Sequence, residues 1–125
     1  GKRLISQSVS WCYAPGREPH VEDDALDLGS EGDRLVTVKG VEALETATLN
    51  SPPIAGIVLR YGGLYGPGTG FDAKRGACPL HVDDAAAATL LAIEKGRPGT
   101  YNIAEANAYV STEKAARELG FSARQ

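Results

Sequence analysis

Short apolar runs alternate along the chain with longer amphipathic stretches. Arg3 to Val9 carries Leu4, Ile5 and Val9 among the hydroxyl residues Ser6, Ser8 and Ser10, which predicts a short strand with a polar end. Ile54-Ala55-Gly56-Ile57-Val58-Leu59-Arg60 is apolar on successive positions without alternation, as in a parallel-sheet strand covered on both faces. Thr100 to Ala104 predicts a third short strand. Asp33 is placed to cap a helix running to about Leu49, with Val38, Val41, Leu44 and Thr48 near helical spacing and Asn50-Ser51-Pro52-Pro53 as its stop. A second helix begins at Val82, with Asp83 or Asp84 favoured in its first turn by the dipole. Its predicted buried stripe is Val82, Ala86, Thr89, Leu90 and Ile93, and Gly96 marks its end. Ser111 predicts the cap of a last helix, with Val110 and Ala115 as a hydrophobic staple and Gly120 just past Leu119.

Strand and helix therefore alternate, which predicts an α/β fold with a parallel sheet. Turn chemistry supplies the connections. Tyr13-Ala14-Pro15-Gly16 reads as a turn, the acid-rich stretch Arg17 to Gly32 as exposed connection, and Tyr61 to Gly70 as a loop with five glycines and a proline.

Composition narrows the class. With 125 residues the chain is one domain's worth or part of one, and 42% hydrophobic with 23% charged residues is the balance of an ordinary globular protein. Thirteen basic against 16 acidic residues give a formal charge of −3, which offers no footprint for a nucleic-acid backbone or an anionic membrane surface. The apolar runs are far shorter than the roughly 20 residues of a membrane-spanning helix. Two cysteines, Cys12 and Cys78, make no disulfide framework, so a cytoplasmic setting is expected. The chain has no Met and begins Gly1-Lys2-Arg3, so it reads as a piece of something larger.

Two features invite a simple chemical assignment and fail it. Gly63-Leu64-Tyr65-Gly66-Pro67-Gly68 follows a strand, but its spacing fits neither Gly-x-Gly-x-x-Gly nor a P-loop, and Pro67 removes a backbone donor where a phosphate would need one. His20 and His81 are each followed by carboxylates, but no ligand spacing such as His-Glu-x-x-His is present, so no metal is expected.

Four segments in fixed order carry more. They are Ser6-Gln7-Ser8-Val9-Ser10 with Tyr13-Ala14-Pro15-Gly16; Val58-Leu59-Arg60-Tyr61-Gly62-Gly63-Leu64-Tyr65-Gly66-Pro67-Gly68; Pro79-Leu80-His81-Val82-Asp83-Asp84-Ala85-Ala86; and Gly99-Thr100-Tyr101-Asn102-Ile103. In order and rough spacing they resemble the C-terminal half of the extended short-chain dehydrogenase/reductase family, which includes the NAD-dependent sugar-nucleotide epimerases and dehydratases. The resemblance implies part of a Rossmann-like, doubly wound parallel sheet, without the N-terminal dinucleotide-binding half. It also implies NAD or NADP as cofactor of the intact protein and a small hydroxyl- or carbonyl-bearing, sugar-like substrate. A homodimer with the strands Arg3 to Val9 and Ile54 to Arg60 at its contact is expected on physical grounds, because removing sheet neighbours exposes strand edges.

Residue by residue, the resemblance makes Ser8 the hydroxyl that orients a substrate. It makes Lys39 both catalytic and a ribose contact, and it turns Tyr61, Gly62, Gly63 and Leu64 toward the cofactor. One departure stands out. The family's Tyr-x-x-x-Lys puts a phenol beside an ammonium so that it can act as general base, and here Leu35 stands four residues before Lys39. An aliphatic side chain moves no proton, which leaves Tyr13 or Tyr65 as substitutes, or else a non-catalytic NAD(P)-binding sensor. A free-standing α/β interaction module is the remaining alternative. The short stretch between Gly68 and His81 implies a compact substrate pocket.

Overall fold

The computed structural model describes residues 2–124. In chain order its elements are β1 (Arg3–Val9), α1 (Gly32–Leu49), β2 (Ala55–Tyr61), β3 (Gly63–Tyr65), β4 (Pro79–His81), α2 (Val82–Lys95), β5 (Gly99–Ile103) and α3 (Glu113–Leu119). The strands β1, β2 and β5 form one sheet in the order β1-β2-β5, with both pairings parallel, and β3 and β4 form a separate parallel pair. The α/β class and the three principal strands thus follow the sequence pattern.

Alternation along the strands sorts side chains to two faces. On one face Ile57, Leu59 and Tyr61 of β2 and Tyr101 and Ile103 of β5 pack with Ala85, Ala88 and Ala92 of α2 and Ala115 and Leu119 of α3. On the other, Ser6 and Ser8 of β1 and Arg60 of β2 meet Thr48 and Glu45 of α1. With helices on both faces, β2 is covered throughout, which is why its run needs no polar alternation.

Several expectations are corrected. Asp33 lies in the first turn of α1 and Glu31 occupies the cap position. The buried residues of α1 are Val38, Glu45 and Thr48, while Leu44 is exposed, because Glu45 has a buried partner in Arg60. On α2 the alanines Ala85, Ala88 and Ala92 are buried, whereas Leu90 and Ile93 of the expected stripe face outward. Gly96 shows how tight that packing is: a Cβ there would sit 2.4 Å from both the Ala92 carbonyl oxygen and a methyl of Ile57. The helix cap is His81, whose ring nitrogen accepts the Asp83 N–H at 3.0 Å. Thr112 holds the cap position of α3, with the Ser111 hydroxyl accepting the Glu113 N–H at 3.3 Å. Val110 and Ala115 belong to different apolar clusters and form no staple. Gly120 ends α3 in the left-handed region, as its place predicts.

Two corrections bear on the site. The glycine loop after β2 contains β3, and the acid-rich connection is not simply exposed, because His20 is buried. His20 exchanges backbone hydrogen bonds with Tyr109 at 2.8 Å and with Ser111 at 2.8 Å, which pins this connection across the carboxyl end of the sheet. Nor is β2 an edge: it lies between β1 and β5, so of the two strands expected at an open edge only β1 has one.

Candidate active site at the carboxyl edge of the sheet

Ser8, Arg60 and Asn102 are register partners and form one polar row across β1, β2 and β5. Arg60 and Glu45 close it from above as a buried ion pair, with Nη2 donating to Oε1 at 2.6 Å and Nε to Oε2 at 2.9 Å. Ser8 Oγ donates to the same Glu45 Oε2 at 2.6 Å. Arg60 Nη1 donates to Tyr13 Oη at 2.9 Å, and Tyr13 Oη donates to Asn102 Oδ1 at 2.6 Å. The His20 ring stacks on Tyr13 with centroids 4.8 Å apart, and Asp24 Oδ2 lies 2.9 Å from His20 Nδ1. Every member has its partner, as a buried polar network requires.

The protonation states follow from these contacts. Burial pushes the Tyr13 phenol up to about 12, against the opposing pull of Arg60 and the bond to Asn102. Burial pulls the Arg60 guanidinium down, but Glu45 and Tyr13 outweigh it and hold the group above its ordinary value. The hydrogen bond to Glu105 pushes the Tyr65 phenol up to about 12 as well. Glu105 is buried, accepts from Tyr65 and pairs with Lys74 at 2.8 Å. Both phenols named as substitutes for a missing base are thus held protonated as donors. Neither has the lowered pKa that base catalysis at neutral pH uses.

Above the row, outside the carboxyl ends of β1 and β2, lies a cleft of 320 Å³ lined by Trp11, Gly63, Arg75, Gly76, Ala77 and Cys78. Ligands in open α/β sheets sit at this edge. Cys78 is buried beneath it, 3.4 Å from Ser10 Oγ, and burial pushes its thiol up. A second cleft of 310 Å³ lies beyond the outer edge of β5, between Val21 to Asp23 and the start of α3. Two of its charged groups are already engaged: Glu22 Oε2 accepts the Asn102 N–H at 2.9 Å and Lys114 Nζ donates to the Thr100 carbonyl at 2.8 Å.

The residues implied by the resemblance are only partly brought together. Ser8 and Tyr13 share the buried network, Tyr65 stands apart on Glu105, and Lys39 is exposed on α1, one turn beyond the half-buried Leu35. Tyr61 is in the core, its hydroxyl bonded to Thr89. A Cβ on Gly62 would lie 2.0 Å from the Cys78 carbonyl oxygen, and one on Gly63 2.9 Å from the Arg75 carbonyl oxygen. The close approach these glycines permit is therefore that of the protein's own chain. Leu64 is half-buried on β3, and among the cofactor-facing residues only Gly63 lines the cleft. The sequence did not single out Trp11 or Arg75, and offered Cys78 only as a cysteine outside a disulfide framework; a lone Trp two residues beyond a strand of a parallel sheet was the available signal.

No family model matches the chain. A 3-diazoavenalumate denitrifying reductase from a Streptomyces species is 33% identical over 126 aligned positions, covering 83% of this chain and 41% of that protein. Among solved structures, a Bacillus cereus UDP-glucuronic acid 4-epimerase in complex with NAD superimposes with a TM-score of 0.75 at 17% identity, covering 98% of this chain and 56% of that one. RMD from Pseudomonas aeruginosa complexed with NADPH gives 0.76 at 14% identity, covering 96% and 61%. The chain has the Rossmann-like α/β fold of the NAD(P)-binding epimerases and dehydratases. This is the fold of the extended short-chain dehydrogenase/reductases, and the chain spans less than two thirds of the length of these relatives. NAD or NADP is the cofactor in these structural relatives.

Proposed function

We propose that the chain is the substrate-side part of an NAD(P)-dependent oxidoreductase, epimerase or dehydratase acting on a small hydroxyl- or carbonyl-bearing molecule, and that it is inactive by itself. The observation that carries this reading is the cleft at the carboxyl ends of β1 and β2, in a fold shared with NAD and NADPH complexes. The reductase relative favours reduction among the three activities. In this reading Ser8 and Tyr13 belong to the buried network that supports the site, Tyr65 is a separate donor held on Glu105, and Lys39, exposed on α1, is the residue left to meet a cofactor ribose. Leu35, where the family has its phenol, favours a second reading, an NAD(P)-binding sensor without turnover. The open edge of β1 supports a homodimer.

Titration calorimetry with NAD and NADP tests the central point. The chain alone is expected to give no measurable binding, whereas a longer form that adds a strand, a glycine-rich turn and a helix before β1 is expected to bind. A micromolar dissociation constant for the chain alone would overturn the reading. In the longer form, binding without turnover over a broad panel of hydroxyl and carbonyl substrates would select the sensor.

A further inference from the structure

Arg75 is exposed, and two contacts orient its side chain. Its Nε donates to the Leu64 carbonyl at 3.2 Å, and its guanidinium carbon lies 3.9 Å above the centroid of the Phe71 ring. These contacts favour one orientation of the fork. Its two terminal nitrogens make no hydrogen bond, and no carboxylate pairs with it, among the described residues. The result is an oriented cation with its bidentate face unspent, on the wall of a cleft whose other lining residues are Trp11, Gly63, Gly76, Ala77 and Cys78. Trp11 lines the same cleft and is 41% exposed, a large aromatic surface left to solvent two residues beyond β1.

We infer that this cleft binds a small aromatic carboxylate, its ring packed against Trp11 and its carboxylate on the Arg75 fork. A planar guanidinium with both terminal nitrogens available matches a carboxylate bidentately, which an ammonium does not. The apolar lining and the indole face favour a flat ring over a polyhydroxylated sugar. The cleft is near the low end of ligand-pocket volumes, about 300–1,000 Å³, so it suits one ring with a short acid arm rather than a nucleotide sugar. This inference rests on the reading of the cleft as the substrate side and goes further by naming the substrate's chemistry.

Trp11 is the single tryptophan of the chain, so its fluorescence reports this site alone. Hydrocinnamate, its neutral amide hydrocinnamamide, and acetate are titrated into the full chain, and far-ultraviolet circular dichroism checks that each variant is folded. Saturable quenching or a blue shift is expected with hydrocinnamate, with an affinity about tenfold or more above that of the amide, since the charge-assisted fork is lost with the charge. Acetate, which has no ring, is expected to leave the emission unchanged. Arg75→Gln should abolish the preference for the acid over the amide, and Arg75→Lys should restore only part of it. Equal affinity for acid and amide, an unchanged preference in a folded Arg75→Gln variant, or no saturable change with a folded chain would each overturn the proposal. Cofactor titrations leave this readout untouched, so failure here is separable from failure of the NAD(P) reading.

Discussion

Removing the Glu45 carboxylate is the sharpest test of the network under the cleft. The Glu45 and Arg60 side chains are only 6% and 7% exposed, so solvent screening, which makes surface ion pairs nearly worthless, does not apply. Glu45→Leu deletes both Arg60 bonds, at 2.6 and 2.9 Å, and the Ser8 bond at 2.6 Å, and leaves a guanidinium without a counter-charge. Breaking a buried pair from one side costs about 3–5 kcal/mol. That is a large share of the roughly 5–15 kcal/mol by which a domain is stable. Because the cost comes from an orphaned charge, removing both charges should cost less than the sum. Glu45→Leu/Arg60→Met is expected to be more stable than Glu45→Leu alone. Urea unfolding of the parent, the two single variants and the double variant closes the cycle. A Glu45→Leu cost below about 1 kcal/mol would mean that water reaches Arg60. A double variant whose cost equals the sum of the singles would mean that the pair is not coupled, and either result refutes the reasoning.

Gly62→Ala is expected to destabilise the protein by about 1–3 kcal/mol in the same urea assay, since the new methyl would lie 2.0 Å from a backbone carbonyl that cannot rotate away. Tyr13 and Tyr65 have folded pKa values raised from 10 to about 12. Their contribution to stability is therefore full below pH 10 and lost as the pH rises toward 12, and Tyr13→Phe should flatten this alkaline decline in pH-dependent thermal melts. Lys39→Ala should change stability by less than about 0.5 kcal/mol, yet weaken NAD(P) binding by the longer form in calorimetry. Light scattering at micromolar concentration is expected to show a dimer, and Gln7→Pro, which removes a donor on the outer side of β1, should return it to monomer without unfolding it.

The three strands of the main sheet and the carboxyl ends of α2 and α3 were legible because they depend on local chemistry: a continuous apolar run for β2, Gly96 after α2 and a left-handed Gly120 after α3. The helix faces were not. On α2 the larger residues Leu90 and Ile93 suggested the buried side, but the sheet face carries Ile57, Leu59 and Tyr101 and leaves room only for alanine methyls against it. Glu45 was illegible for a related reason, since a carboxylate is buried only where a cation waits, and that cation is on another element. Arg60 at the end of an apolar strand was the visible half of the pair. The pair β3 and β4 escaped because three-residue strands among glycines carry no period to read.

The two edges of the sheet differ in a way that bears on how the protein is used. On β5 two of the outward groups are occupied by side chains: Glu22 accepts the Asn102 N–H at 2.9 Å and Lys114 donates to the Thr100 carbonyl at 2.8 Å. Both side chains imitate ladder bonds of a further strand and compete with another chain at that edge. On β1 the bonds to β2 are made through even-numbered residues, as the flanking Lys2 carbonyl and Ser10 N–H show, so Arg3, Ile5, Gln7 and Val9 turn their backbone groups outward. No side chain of the described residues satisfies these groups. Beside them Leu4, on the α1 side of the sheet, is 40% exposed, and so is Leu49 at the end of α1. An open row of donors and acceptors beside uncovered apolar side chains is the combination that draws in another strand. Among the described residues, side chains therefore hinder growth of the sheet at β5 and none does so at β1. The cleft of Trp11 and Arg75 lies across the carboxyl ends of the β1 side, so a strand added at that edge would extend the wall of the site and leave its floor untouched.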